Sequence, residues 1–285
     1  MKLNKSAIKI FQDKILLWYR DNQRDLPWRK TRDPYPILVS EVMSQQTQLG
    51  RVIPKYNAWI KRFPTVTQLA EASLHEVLRY WSGLGYNSRA LNLQKTAKVL
   101  VNEYSSSEKN ESRSSRQART IRWPRTVIEL IELPGIGKYT ASAIACFAFD
   151  VQIPVVDTNI RKVITHEFFN GQLPEEKVIE EIAYQILPKN RAYEWNQALM
   201  DYSSLVLKDK KIPVPKQSHF LTSDRYFRGQ TVKLLLEVAS ISFTGLQDYF
   251  AERNPVEPSR FEQILESMVK DGLIVYYEGK LSLPA

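Results

Sequence analysis

Hydrophobic positions in the first 218 residues recur at helical spacing. Residues 6–20 set Ile8, Phe11, Ile15, Leu16 and Tyr19 on one stripe, the pattern of a helix with a single buried face. The stretch 37–63 continues the pattern with Leu38, Val42, Leu49, Val52, Ile53, Tyr56 and Ile60. The same period predicts helices over 67–72, 74–81, 88–104, 127–133, 139–149, 159–168, 175–187 and 193–207. Strand-type alternation has almost no support here, so the pattern predicts an all-α body. Residues 105–122 (SSSEKNESRSSRQARTIR) interrupt it. They are Ser- and Arg-rich without apolar period and read as a mobile surface insertion.

At 208–218 (KDKKIPVPKQS) the composition turns to a basic, Pro-containing linker. Residues 219–285 form a smaller unit. Helical segments at 230–239 and 260–271 precede LIVYYEGKLSL, which alternates about Glu278-Gly279 as a hairpin does. Helices followed by a hairpin predict a small α+β, winged-helix-like domain. Such domains usually offer a basic recognition helix to the major groove. Here that helix carries Glu262, Glu266 and Asp271 against Arg260 and Lys270, which points to packing or to a protein partner instead.

Hydrophobic residues at 43% and charged residues at 25% exclude a disordered or membrane-embedded chain. No apolar run approaches the ~20 residues that cross a bilayer, and the charged N-terminus lacks the apolar core of a signal peptide. One cysteine, Cys146, excludes an internal disulfide. A cytoplasmic monomer without a membrane partner is expected. The net charge is +9, and only 7 of the 40 Lys and Arg lie beyond residue 218, against 9 of the 31 Asp and Glu. The surplus therefore belongs to the body, and suggests a polyanion such as nucleic acid.

The strongest local signal is IELIELPGIGKYTASAIACFAF. Two amphipathic helices flank Leu133-Pro134-Gly135-Ile136-Gly137, and the second begins at once after the turn. Its first N–H groups and positive dipole end would make a phosphate site out of backbone, with Lys138 adding charge.

LPGIGKYTASAI resembles the hairpin of the helix-hairpin-helix, endonuclease III-like DNA glycosylases. LPWRKTRDPYPILVSEVMSQQTQ, FPTVTQLAEASLHEVLRYWSGLGYNSRALNLQKTAKVL, VVDTNIRKVI and WNQALMDYSSLV resemble the same superfamily in the same order, over residues 15–207. Within it the chain is most similar to adenine glycosylases that act on adenine opposite guanine or 8-oxoguanine. The resemblance implies a two-lobed body, with a six-helix lobe over 28–132 and a second lobe from 1–27 plus 133–207. It also implies mismatched double-stranded DNA as the partner, base flipping and cleavage of the N-glycosidic bond.

In SEVMSQQTQ the spacing sets Glu41, Gln45 and Gln48 as a polar line on one helix face. Depurination needs an acid, because an adenine anion leaves poorly, and a negative charge near an oxocarbenium-like sugar. The resemblance assigns the acid to Glu41 and the carboxylate to Asp157, which would also cap the helix that follows it. It implies that Tyr139 and Asn159 place these groups, that Gln45, Gln46 and Thr47 enter the duplex where the base leaves, and that Gly135, Ile136, Gly137, Lys138 and Thr140 hold the DNA backbone. Bifunctional relatives carry a Schiff-base lysine at the slot of Tyr139, so the resemblance implies a monofunctional enzyme.

Two departures stand out. Most relatives hold a 4Fe–4S cluster on four cysteines after this body. Here the first ligand slot falls near Leu207 and no cysteine follows, so no cluster is expected. A monovalent cation at the hairpin is the one remaining ion that the resemblance suggests, and no metal is expected elsewhere. The C-terminal unit does not resemble the nudix-like domain with which relatives read 8-oxoguanine. Removal of thymine or uracil opposite guanine is the nearest alternative, although the corresponding relatives tend to carry arginines where this chain has QQT. A non-catalytic mismatch-binding protein with a C-terminal partner site is the other.

Overall fold

The computed structural model describes residues 2–106, 120–213 and 219–284. Most of the Ser- and Arg-rich insertion and the second half of the linker lie outside the described residues. Among those described there are fourteen α-helices and two small antiparallel sheets. The chain divides into two compact units.

The first unit comprises Met1–Glu41, Pro124–Glu132 and Ile136–Pro215. It holds α1 (Lys5–Asn22), α7 (Val127–Ile131), α8 (Lys138–Phe149), α9 (Thr158–Phe168), α10 (Glu176–Gln185) and α11 (Ala192–Leu205), together with most of α2 (Pro34–Ser44). The stripe in 6–20 does what its spacing predicts. Phe11, Ile15 and Tyr19 are buried against Ile160, Val163 and Ile164 of α9 and Trp195, Ala198 and Leu199 of α11. Phe11 meets Phe168 and Trp195 edge-on, with ring centroids 5.0 and 5.7 Å apart.

Residues 27–41 belong to this unit by specific bonds. Arg29 grips the buried Asp201 with both terminal nitrogens at 2.7 Å, and Arg24 adds its Nε at 2.6 Å and its backbone N–H at 2.9 Å. Arg32 donates to the Phe147 carbonyl at 2.9 Å. By these contacts residues 28–41 group with the first unit, whereas the resemblance implies a lobe that begins near residue 28.

The second unit comprises Val42–Trp123, Leu133–Gly135 and Lys216–Ala285. Its helical part is α3 (Leu49–Arg62), α4 (Val66–Glu71), α5 (Leu74–Trp81) and α6 (Ser88–Glu103) around the buried Trp59, Phe63 and Trp81, with Trp59 edge-on to each of the other two. β1 (Ser105–Ser106) pairs with β2 (Thr120–Ile121) at the foot of the insertion, a ladder too short to leave an alternation in sequence. The C-terminal part has α12 (Asp224–Glu237), α13 (Phe243–Ala251) and α14 (Pro258–Asp271) over β3 (Ile241–Ser242), β4 (Val275–Tyr277) and β5 (Lys280–Ser282), in the order β3-β5-β4. Phe227, Phe250 and Phe261 form its centre. Glu278 and Gly279, at φ 48° and 75°, make the tight turn that the alternation predicts. α13 and β3 escape the sequence pattern, because β3 is two residues long and α13 starts directly from it. The C-terminal part joins the helices of its own unit: α12 packs on α5, Arg225 donates to the Tyr86 hydroxyl at 2.7 Å, and Lys95 reaches the Asp271 carbonyl.

The stretch 37–63 is two helices, not one. α2 stops at Ser44, Gln46 takes φ 53°, and α3 restarts at Leu49. Gln45 and Gln48 consequently leave the helix, and the expected polar line with Glu41 does not form. The reason is Arg89. Its Nη1 donates to the carbonyls of Val42 and Gln45, both at 2.7 Å, so the guanidinium takes up acceptors that another helical turn would have used.

Candidate active site

Four predicted site residues meet in the first unit. Glu41 sits near the end of α2, Tyr139 in the first turn of α8, Asp157 at the N-cap of α9 and Asn159 in its first turn. The Tyr139 hydroxyl donates to Glu41 Oε2 at 2.6 Å. Asp157 caps α9 as its position suggests: Oδ1 accepts from the Ile160 N–H and Oδ2 from Asn159 Nδ2, both at 2.7 Å. All four side chains are half-buried, enclosed enough to lose water and open enough to reach a substrate.

The two carboxyl groups differ in support. Burial raises the Glu41 carboxyl to about 7; the Tyr139 hydrogen bond and Arg29 oppose that rise, and the charge of Asp157 adds to it. Asp157 is also raised by burial, but the N–H of Ile160 and the Asn159 amide hold its charged form. The Tyr139 hydroxyl, buried beside both carboxyls, stays protonated well above its ordinary value of 10.0. It is therefore a permanent donor to Glu41. The site thus sets a carboxyl with one side-chain donor, raised to about 7 by burial, beside a carboxyl that accepts from a helix N–H and an amide.

The hairpin turn is built as the sequence suggests at one glycine. Gly135 has φ 74°, and a Cβ there would lie 2.6 Å from the Asn92 Cβ; Thr96 fixes the turn by donating to the Pro134 carbonyl at 2.7 Å. Gly137 is the N-cap of α8 with no side-chain cap, and a Cβ there would meet nothing within 4 Å. Its glycine leaves room for something outside the protein. Ile136 and Thr140 bury their side chains, so this segment offers backbone outward. Lys138 does not stand alone: Glu180 holds its Nζ at 2.6 Å.

Gln45, Gln46 and Thr47 occupy the turn between α2 and α3, in the second unit. The Thr47 hydroxyl donates to the Gln45 carbonyl at 3.1 Å. Sequence reasoning missed Arg89, which also reaches the carbonyls of Leu84 and Gly85 at 3.2 and 3.1 Å and so ties the QQT turn to the SGLGYN turn. A signal existed: a cation in the first turn of a helix opposes the dipole, so Arg89 needed other partners. Asp201 was legible in the same way, as one carboxylate in the otherwise uncharged run ALMDYSSLV. Cys146 does not suit an iron–sulfur ligand. It is buried against Asn196 Nδ2 at 3.4 Å, with its thiol pushed up to about 12 by burial, and it is the chain's single cysteine.

Comparison with known proteins assigns the chain to a family. Residues 39–189 fit the description "HhH-GPD superfamily base excision DNA repair protein". The adenine DNA glycosylase of Mycolicibacterium smegmatis is 34% identical over 287 residues, covering 91% of both chains. That of Buchnera aphidicola subsp. Baizongia pistaciae is 36% identical over 201 residues, 69% of this chain and 53% of the relative, so the chain spans about half the length of some curated relatives. Among solved structures, a thermostable thymine-DNA glycosylase superposes with a TM-score of 0.58 at 29% identity, over 70% of this chain and 87% of the other. With more than half of its length inside the matched region and a relative aligned almost end to end, the chain belongs to the HhH-GPD superfamily of base excision DNA repair proteins.

Proposed function

We propose that the chain is a monofunctional adenine DNA glycosylase, which flips adenine from a mispair with guanine or 8-oxoguanine and hydrolyses its N-glycosidic bond. The observation that carries this reading is the unequal carboxyl pair. Protonated Glu41, aimed by Tyr139, donates its proton to a ring nitrogen of adenine. The electrons of the bond between sugar C1′ and the base then leave with a neutral purine. The ionised Asp157 faces the cation that develops on the sugar, and water adds at C1′ as a carboxylate takes its proton. The QQT turn would enter the stack that the base leaves, and the uncapped start of α8 would hold a phosphate.

Absence of lyase activity rests on Tyr139, which places a phenol bonded to Glu41 where a Schiff-base amine would be needed. The neighbouring Lys138 is exposed and paired with Glu180. Borohydride should therefore trap no covalent enzyme–DNA adduct.

The test is single-turnover cleavage of duplexes carrying A·G, A·8-oxoguanine, T·G and U·G, with Glu41→Gln and Asp157→Asn beside wild type. Adenine release that both variants lose, by about 10²–10⁴-fold each, is expected. Release of thymine or uracil instead would move the chain to the mismatch thymine glycosylases. Tight mismatch binding with no release would leave a non-catalytic DNA-binding protein.

A further inference from the structure

The C-terminal part does not offer its hairpin-proximal helix as a winged helix commonly does. α14 pairs one of its two cations, Arg260, with Asp224 of α12, and its residues Ser267 and Asp271 hold Arg228 of α12. The cations gather instead on a groove of about 540 Å³ between α12 and the turn 82–88, wholly within the second unit. Arg51, Arg225, Arg228 and Lys233 line it, and no Asp or Glu does. Among the described residues, neither Arg51 nor Lys233 has a carboxylate partner. Arg225 fixes one wall, donating to the Tyr86 hydroxyl and lying 5.6 Å from its ring. Gln46, from the QQT turn, lines the same groove. Gly229 stands in the middle of α12, where glycine costs a helix about 1 kcal/mol against alanine, and it too lines the groove. A helix that keeps such a residue there leaves its backbone approachable.

We propose that this groove binds the sugar–phosphate backbone of the DNA being repaired, which makes α12 of the C-terminal part a component of the DNA-binding surface. The argument is charge complementarity. Asp271 already engages Arg228 and Tyr86 orients Arg225, so Arg51 and Lys233 supply the groove's charge without a carboxylate partner among the described residues; with no carboxylate in the lining they fit a phosphodiester chain, and the volume suffices for a nucleotide. The proposal rests on the reading of the chain as a DNA-repair glycosylase, and it uses DNA affinity, not excision, as its readout.

The experiment measures Kd for a labelled mismatch duplex by fluorescence anisotropy, on the full chain, across salt from roughly 50 to 300 mM. Arg51→Ala and Lys233→Ala should each weaken binding several-fold at low salt and lower the slope of log K against log salt by about 1; together they should lower it by about 2. Lys270→Ala, which removes an α14 cation outside the groove, should change neither. Unaltered slopes in the groove variants would overturn the proposal. So would a loss in Lys270→Ala equal to theirs, which would put the duplex on α14. Circular dichroism of each variant separates misfolding from lost contacts. If wild type binds with the predicted slopes but releases no base, the glycosylase reading fails while this surface stands.

Discussion

Glu41 and Asp157 show how a fold assigns two chemically similar groups to opposite tasks. Glu41 has one hydrogen-bond donor and much buried surface, whereas Asp157 has a helix N–H and an amide. The consequence reaches stability as well as rate. In the unfolded chain Glu41 ionises near 4.5, while in the native state it holds its proton to about 7. Below 4.5 both states are protonated, and the site is neutral to pH. Between 4.5 and 7 the unfolded state alone gives up the proton, so native stability falls as pH rises and then levels off. Glu41→Gln removes that loss. It should be more stable than wild type at pH 8 by on the order of 1–3 kcal/mol, with the gap closing at pH 4, as urea titrations would measure. Tyr139→Phe removes the donor that favours the charged form, so the pH at which activity falls should move upward.

Among the elements, the join of α2 to α3 and the buried Asp201 carry the greatest demand. Arg89 is withdrawn from water, with burial lowering its guanidinium to about 10, and its Nε has no partner, so its hydrogen bonds to the backbone carbonyls of Val42, Met43, Gln45, Leu84 and Gly85 must offset that cost. Lysine cannot span the same acceptors, and Arg89→Lys should lose about 2–4 kcal/mol in denaturant titrations. Asp201 is held down by the Arg29 and Arg24 bonds, which outweigh the rise that burial would cause. Removing one partner of a buried ion pair leaves the others uncompensated, so Asp201→Asn should cost about 3–5 kcal/mol. Periodicity revealed nearly every helix, because a packed helix must bury one stripe, and α5 matches its predicted 74–81 to the residue. It could not reveal the break after Ser44. The apolar positions from Leu38 to Ile60 stay in phase, and the interruption is imposed by the guanidinium of Arg89, which lies in another helix.

At the scale of the molecule, the charge distribution misdirects if read by segment. The C-terminal residues carry a small acidic excess, yet the fold sorts their charges, pairing Arg260 and Asp271 of α14 with Asp224 and Arg228 of α12 and leaving Lys233 over a groove that Arg51 completes. A sum over sequence cannot see such sorting, and the residues Glu41, Tyr139, Asp157 and Asn159 were singled out by the family resemblance, since a lone Glu on a helix is ordinarily a solvated one. Their convergence was not legible without the family resemblance, since 98 residues separate Glu41 from Tyr139.

The most direct measurement is the single-turnover rate of adenine excision between pH 5 and 9, for wild type and Glu41→Gln. The account predicts a wild-type rate that falls about tenfold per pH unit above about 7, the value to which burial raises Glu41, and a variant about 10²–10⁴-fold slower that lacks this limb. A wild-type rate that stays level or climbs from pH 7 to 9, or a variant that retains the wild-type rate, would contradict Glu41 as the acid.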